Sequence, residues 1–309
     1  MIANFFKQSK PIVFLILGIA LSLLFYLKII LSNTFSVNSE NIPVIVLNHI
    51  VLVVSFVLFE LSIKHYEIQT GHSLVSLFFV LFSSLIVPNI GFSHELSGFL
   101  ILSLGIIRLL SMTKNVEKNL RIYEAVLLIA IASLFYKPFI LCLVLVLVAS
   151  LLFSAPKWRY FIIPFLSIST VIIFVESYYL ITYDSVVGFY FFIPKIEYSI
   201  EEYYSKLNPI LTIFWLISCL ICIYQIFSVK RIRSLYHRNM ASFFLIFLIL
   251  ALLSMGFKSS TLSGLWVMSI WPFCIYLGDF ISRIKKRLWL QIGFWFFVLG
   301  PISIYFLTL

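Results

Sequence analysis

Four side chains in this sequence are of types that could do chemistry together. Glu40 is the only charge in residues 32–41, between two long apolar runs. His94-Glu95 stands just before another such run. Lys137 lies in the turn Phe135-Tyr136-Lys137-Pro138, between the apolar segments 125–135 and 139–153. Two carboxylates on converging loops can divide the work: one is a general base, the other positions a substrate or a divalent cation. An ammonium sunk toward an apolar region needs an anionic partner such as a phosphate, or must snorkel to the surface. The plain alternative for each residue alone is solvation, with two loop acids in water and a lysine reaching past Tyr136 to the interface.

The elements that must position these residues are membrane helices. The 309 residues are 62% hydrophobic and 11% charged, against about 25% charged in a soluble domain. Stretches such as Val144-Leu145-Val146-Leu147-Val148 are apolar throughout, whereas barrel strands alternate. The fold class is therefore all-α, a polytopic transmembrane helix bundle. Candidate spans are 12–31, 43–63, 72–88, 97–112, 123–136, 138–153, 160–176, 208–228, 240–256, 262–280 and 288–308. Residues 1–309 read as a single transmembrane domain of eleven spans, with no soluble domain and no internal repeat. The first apolar run is too long for a signal peptide and lacks a cleavage site, so it is a retained span.

Orientation follows from the bases. With the N-terminus in the cytoplasm, seventeen Lys and Arg fall on the inner side and five on or toward the other, which fixes N inside and C outside. The same clustering at span ends accounts for the net charge of +10 and excludes a nucleic-acid partner. Outside lie three segments: 32–41, 89–95 and 176–207. The last is rich in tyrosine and acid, and its part 196–204 reads as a helix in the headgroup layer. Inside, 111–120 and 231–238 are basic connections lying on an anionic leaflet.

Residues 123–136 would make a helix of only about 21 Å, short of the roughly 30 Å hydrocarbon core. That places the Lys137 turn below the outer surface or thins the bilayer there. Phosphate-binding glycine loops, H-E-x-x-H and G-x-S-x-G are absent from the sequence. The histidines have no clear ligand spacing, so no metal site is assigned, and Asn48-His49 reads as a helix-bridging pair. Cys219 and Cys222 have C-x-x-C spacing inside an apolar run, where they read as small packing residues. Span centres hold few acids or bases, which argues against an ion-coupled pump or a small-solute transporter.

Residues 79–88, then Ser93-His94-Glu95, span 97–112, a basic stretch and Ala130-Ile131-Ala132-Ser133-Leu134-Phe135-Tyr136-Lys137-Pro138 follow a recognisable order. It resembles the core of the polyprenyl-phosphate-dependent glycosyltransferases of the GT-C superfamily, over roughly residues 10–175. The chain also looks like the uncharacterised multi-span inner-membrane families of Gram-negative bacteria. The GT-C resemblance implies a bacterial inner-membrane enzyme that uses a polyprenyl-phosphate-linked sugar at its extracytoplasmic face. It implies Glu40 as catalytic base, where the family often has an aspartate. It implies further that Lys137 binds the lipid phosphate and that Glu95 with His94 holds the acceptor or a divalent cation. The rival expectation is a non-catalytic membrane subunit or assembly factor of an envelope complex, with a membrane protein as partner.

Overall fold

The computed structural model describes residues 11–31, 42–68, 73–85, 93–114, 117–154, 157–186, 209–229, 234–254, 262–284 and 287–307. Among these, every regular element is helical. The α-helices are α1 (Pro11–Leu31), α2 (Ile42–His65), α3 (Ser73–Ser83), α4 (His94–Ser111), α5 (Lys118–Phe135) and α6 (Leu143–Phe153). They continue as α7 (Arg159–Tyr183), α8 (Pro209–Val229), α9 (Leu235–Ser254), α10 (Leu262–Arg283) and α11 (Arg287–Leu307). Each overlaps one predicted span. Ile42–His65, His94–Lys114, Arg159–Tyr183 and Leu235–Ser254 are long and apolar enough, by length and composition, to cross a membrane, and shorter apolar helices accompany them.

The boundaries depart from the sequence reading at α9, which begins at Leu235 rather than 240 and so takes in the end of the expected connection 231–238. They also depart in three places nearer the predicted site residues. Helix α5 begins at Lys118 rather than 123, so its 18 residues reach about 27 Å. The added turn and its neighbour carry Lys118, Arg121 and Glu124, so only the charged end lengthens, and the apolar part stays short. The segment after the turn is a six-residue 3-10 helix, Lys137–Cys142, running into α6. Helix α7 runs on to Tyr183, so the first part of the predicted outer segment 176–207 is helix. Asp184 ends it in the left-handed conformation, with φ 50°. The expected interfacial helix 196–204 lies outside the described residues.

Helix α10 is the hub. Its residues 266–277 are buried, and it packs on α3, α8 and α9, with α4 and α11 beside it. Helix α3 is buried at every position except Leu77 and lies between α10 and α1. Aromatic rings fill this centre: Phe59 stacks on Phe79 at 4.7 Å and meets Trp271 edge-on at 5.1 Å. Phe82 and Phe214 both stack on Trp266. Such pairs add about 0.5–1.5 kcal/mol each beyond the area they bury.

Among the described residues the most extensive helix–helix contact is α4 on α5, and its sequence cause is a set of small residues seven apart. Gly98 and Gly105 on α4 face Ala132 and Ala125 on α5. A Cβ added at Gly98 would sit 2.9 Å from Phe139 Cε2 and 3.2 Å from the Ala132 carbonyl oxygen. At Gly105 it would sit 3.1 Å from Ile129 Cγ1 and 3.4 Å from the Ala125 carbonyl oxygen. Small residues let backbones approach where lipid removes the hydrophobic incentive to associate.

Gly98→Leu should force α4 off the Phe135–Phe139 turn and cost about 1–3 kcal/mol, the usual range for overpacking. Gly18→Ala, with nothing within 4 Å of an added Cβ, should be neutral or stabilising. Thermal unfolding of both variants in detergent measures the contrast.

Candidate functional site

The predicted outer-end residues fall on α4 and on the turn after α5. Glu40 lies outside the described residues. His94 is the exposed first residue of α4 and Glu95, its second, is half-buried. Helix α4 starts there because Ser93 caps it, its Oγ accepting from Leu96 N at 3.2 Å. Ser93 is in turn fixed to α2, its N–H donating to Asn48 Oδ1 at 3.3 Å. Asn48 thus bridges helices as its place in an apolar span suggests. His49 does the same toward α1, with Nε2 3.0 Å from Ser22 Oγ and Nδ1 3.3 Å from Tyr26 Oη. Glu95, in the first turn, also faces the positive end of the helix dipole.

Lys137 is the half-buried first residue of the 3-10 helix. The turn that carries it is held from two sides by glycines. Gly98, one turn after Glu95, lies against Phe135 and Phe139. Gly264 near the start of α10 lies so close to the Tyr136 hydroxyl and ring that a Cβ would overlap them. Tyr136 is itself buried and packs edge-on to Phe139 at 4.9 Å. A 3-10 run of six residues exceeds the usual three or four, and Pro138 in its first turn offers no N–H. His94, Glu95 and Lys137 therefore share one end of the α4–α5 pair, beside the start of α10. Just beyond Gly264, Trp266 keeps a buried indole N–H with no hydrogen-bond partner among the described residues.

The opposite end carries charges that the sequence reading did not single out. Glu60 on α2 is buried, accepts a hydrogen bond from Ser76 Oγ of α3, and pairs with Lys64 at 2.9 Å. Asp279 on α10 is buried, accepts from Gln225 Nε2 of α8 at 2.7 Å, and pairs with Arg283 at 2.9 Å. Glu124 on α5 pairs with both Arg108 of α4 and Arg121, each at 3.2 Å. Two of these clusters had a local signal, since Glu60–Lys64 and Asp279–Arg283 are acid-to-base pairs four apart on a helix. Gln225 had none, being 54 residues from Asp279.

Chemically the two ends differ. Glu60, Glu124 and Asp279 are each paired with a base, and each also links two helices, so they act as fasteners. Among the described residues no three His, Cys, Asp or Glu side chains gather as a metal site. The four cysteines are free and buried.

Arg283→Ala would remove the cation paired with the buried Asp279 carboxylate, and should cost about 3 kcal/mol. Asp279→Asn together with Arg283→Gln removes both charges and should cost far less. Denaturation midpoints in detergent measure the difference. Compared with protein-family models, curated proteins and solved structures, the chain matches none.

Proposed function

We propose that this is an integral membrane protein of eleven spans, with its N-terminus in the cytoplasm of a bacterial cell and its inner membrane as location. It transfers sugar from a polyprenyl-phosphate carrier at the extracytoplasmic face, as a GT-C-like glycosyltransferase. The observation that carries this reading is the Lys137 turn, clamped between Gly98 and Gly264 at the end of the bundle that also holds His94 and Glu95. A cation on a short, glycine-seated turn suits a phosphate arriving from the bilayer, because lipid can reach that level and water screens it little.

In this mechanism Glu40 takes the proton from an acceptor hydroxyl as its oxygen attacks the anomeric carbon. The bond from that carbon to the phosphate oxygen breaks, and Lys137 stabilises the phosphate as it leaves. Glu95, with His94 beside it, orients the acceptor or a divalent cation. The indole N–H of Trp266 is a further donor near that end of the bundle.

The second reading, a non-catalytic membrane subunit or assembly factor, draws on a different observation. The buried acids Glu60 and Asp279 are already ion-paired, an arrangement that suits structure better than proton transfer. Its partner would be another membrane protein.

Glu40→Gln should lower glycan transfer by about a hundredfold or more, the size of a lost general base. Lys137→Gln should lower the prenyl-phosphate lipid that copurifies, which mass spectrometry of the purified protein detects. Unchanged transfer in Glu40→Gln removes Glu40 as base. A stoichiometric protein partner with no bound prenyl-phosphate lipid decides for the subunit.

A further inference from the structure

The end of the α4–α5 pair away from Lys137 carries a second cationic cluster with an unmet demand. Arg108 Nε and Arg121 Nη1 both reach Glu124 Oε2, each at 3.2 Å. Two guanidiniums share one carboxylate oxygen, so a positive charge is left over. Arg121 Nε is buried and has no hydrogen-bond partner among the described residues, and a buried N–H without an acceptor is uncommon in native structures. Arg108 and Glu124 are 43% and 31% exposed, so the cluster is open to an incoming acceptor.

Its neighbours add to the charge. The Tyr66 hydroxyl donates to Ile107 O at 3.3 Å, and Lys114 Nζ sits 5.5 Å over the Tyr66 ring. Burial raises the Tyr66 phenol above its usual range, while Arg121 and Arg108 pull it down. Lys114 Nζ is also 3.0 Å from His65 Nε2, a contact between two basic groups. Below the arginines runs a half-exposed apolar strip. Leu104 and Ile101 lie one and two turns before Arg108 on α4, and Leu128 lies one turn after Glu124 on α5. Leu128 adjoins Gly105 of α4, so the two helices contribute to one seam.

We propose that Arg108 and Arg121 form a binding site for the phosphate of an anionic phospholipid, whose acyl chains lie along Ile101, Leu104 and Leu128. A forked guanidinium matches phosphate oxygens, and Glu124 holds both forks in place while neutralising only one. With the N-terminus inside, the site faces the cytoplasmic leaflet. The lipid is structural or regulatory rather than a substrate, because this end lies away from Lys137. The binding site does not rest on the glycosyltransferase reading; only the lipid's exclusion as substrate does.

The test uses full-length protein in detergent and native mass spectrometry, with phosphatidylglycerol and phosphatidylcholine as probes and inorganic phosphate as competitor. The wild type should retain phosphatidylglycerol in preference to phosphatidylcholine. That preference should fall roughly fivefold for each arginine changed to Gln. Glu124→Gln frees both guanidiniums and should raise the preference, the opposite sign. Should Arg108→Gln with Arg121→Gln fail to fold, Arg121→Gln alone gives the same readout. A purely structural bridge predicts that all variants lose stability and none changes the lipid preference, which overturns the proposal. Displacement of phosphatidylglycerol by millimolar phosphate would overturn the lipid as occupant and assign a soluble phosphate ester.

Discussion

Between helices in a bilayer, burying apolar surface gains little, because the lipid outside is as apolar as the protein inside. What holds such helices together is close packing and polar groups that have no water to fall back on. The α4–α5 pair uses both means. Gly98 and Gly105 bring α4 onto the backbone of α5 at Ala132 and Ala125. At the charged end of the same seam, Glu124 ties Arg108 to Arg121. The position of the Phe135–Phe139 turn, and of Lys137 in it, follows from this seam. Shift α4 by the width of a methyl group at Gly98 and the turn must move with it.

The ends of the bundle are built differently. One is fastened by paired charges, with Glu60 linking α2 to α3 and Asp279 linking α10 to α8. A buried pair of this kind adds modest net stability, but breaking it is costly, so it fixes helix register more than it strengthens the fold. The other end gathers His94, Glu95 and Lys137 around glycine contacts. Seating of the turn by Gly98 and Gly264 gives its cation a fixed place, which the proposed recognition of a phosphate requires. Paired charge at one end and a seated lysine at the other make one molecule with a structural face and a candidate working face.

Much of the architecture was legible because apolar runs of span length announce helices, and each predicted span contains one. The sequence also placed His94, Glu95 and Lys137 on one side by simple alternation. It concealed the 3-10 stretch Lys137–Cys142, since its residues are as apolar as the α-helix that follows. It concealed the end of α7, because Ser177, Tyr178 and Tyr179 look like loop residues yet continue the helix to Tyr183. The contact of Tyr136 with Gly264 joins positions far apart in the chain, and no local pattern encodes it. Glu60 and Asp279 were readable as helix-spaced ion pairs, but their partners Ser76 and Gln225 come from other helices.

Everything assigned to the two ends depends on which side of the membrane each occupies. The buried native cysteines give a quiet background for labelling single introduced cysteines with a membrane-impermeant maleimide in sealed, right-side-out vesicles. Lys114, Trp158 and Asp184 are all exposed and lie on connections between helices or at their ends. The account predicts that Asp184→Cys labels in intact vesicles, while Lys114→Cys and Trp158→Cys label only after the membrane is opened. Labelling of all three from outside, or the reverse pattern, would contradict it.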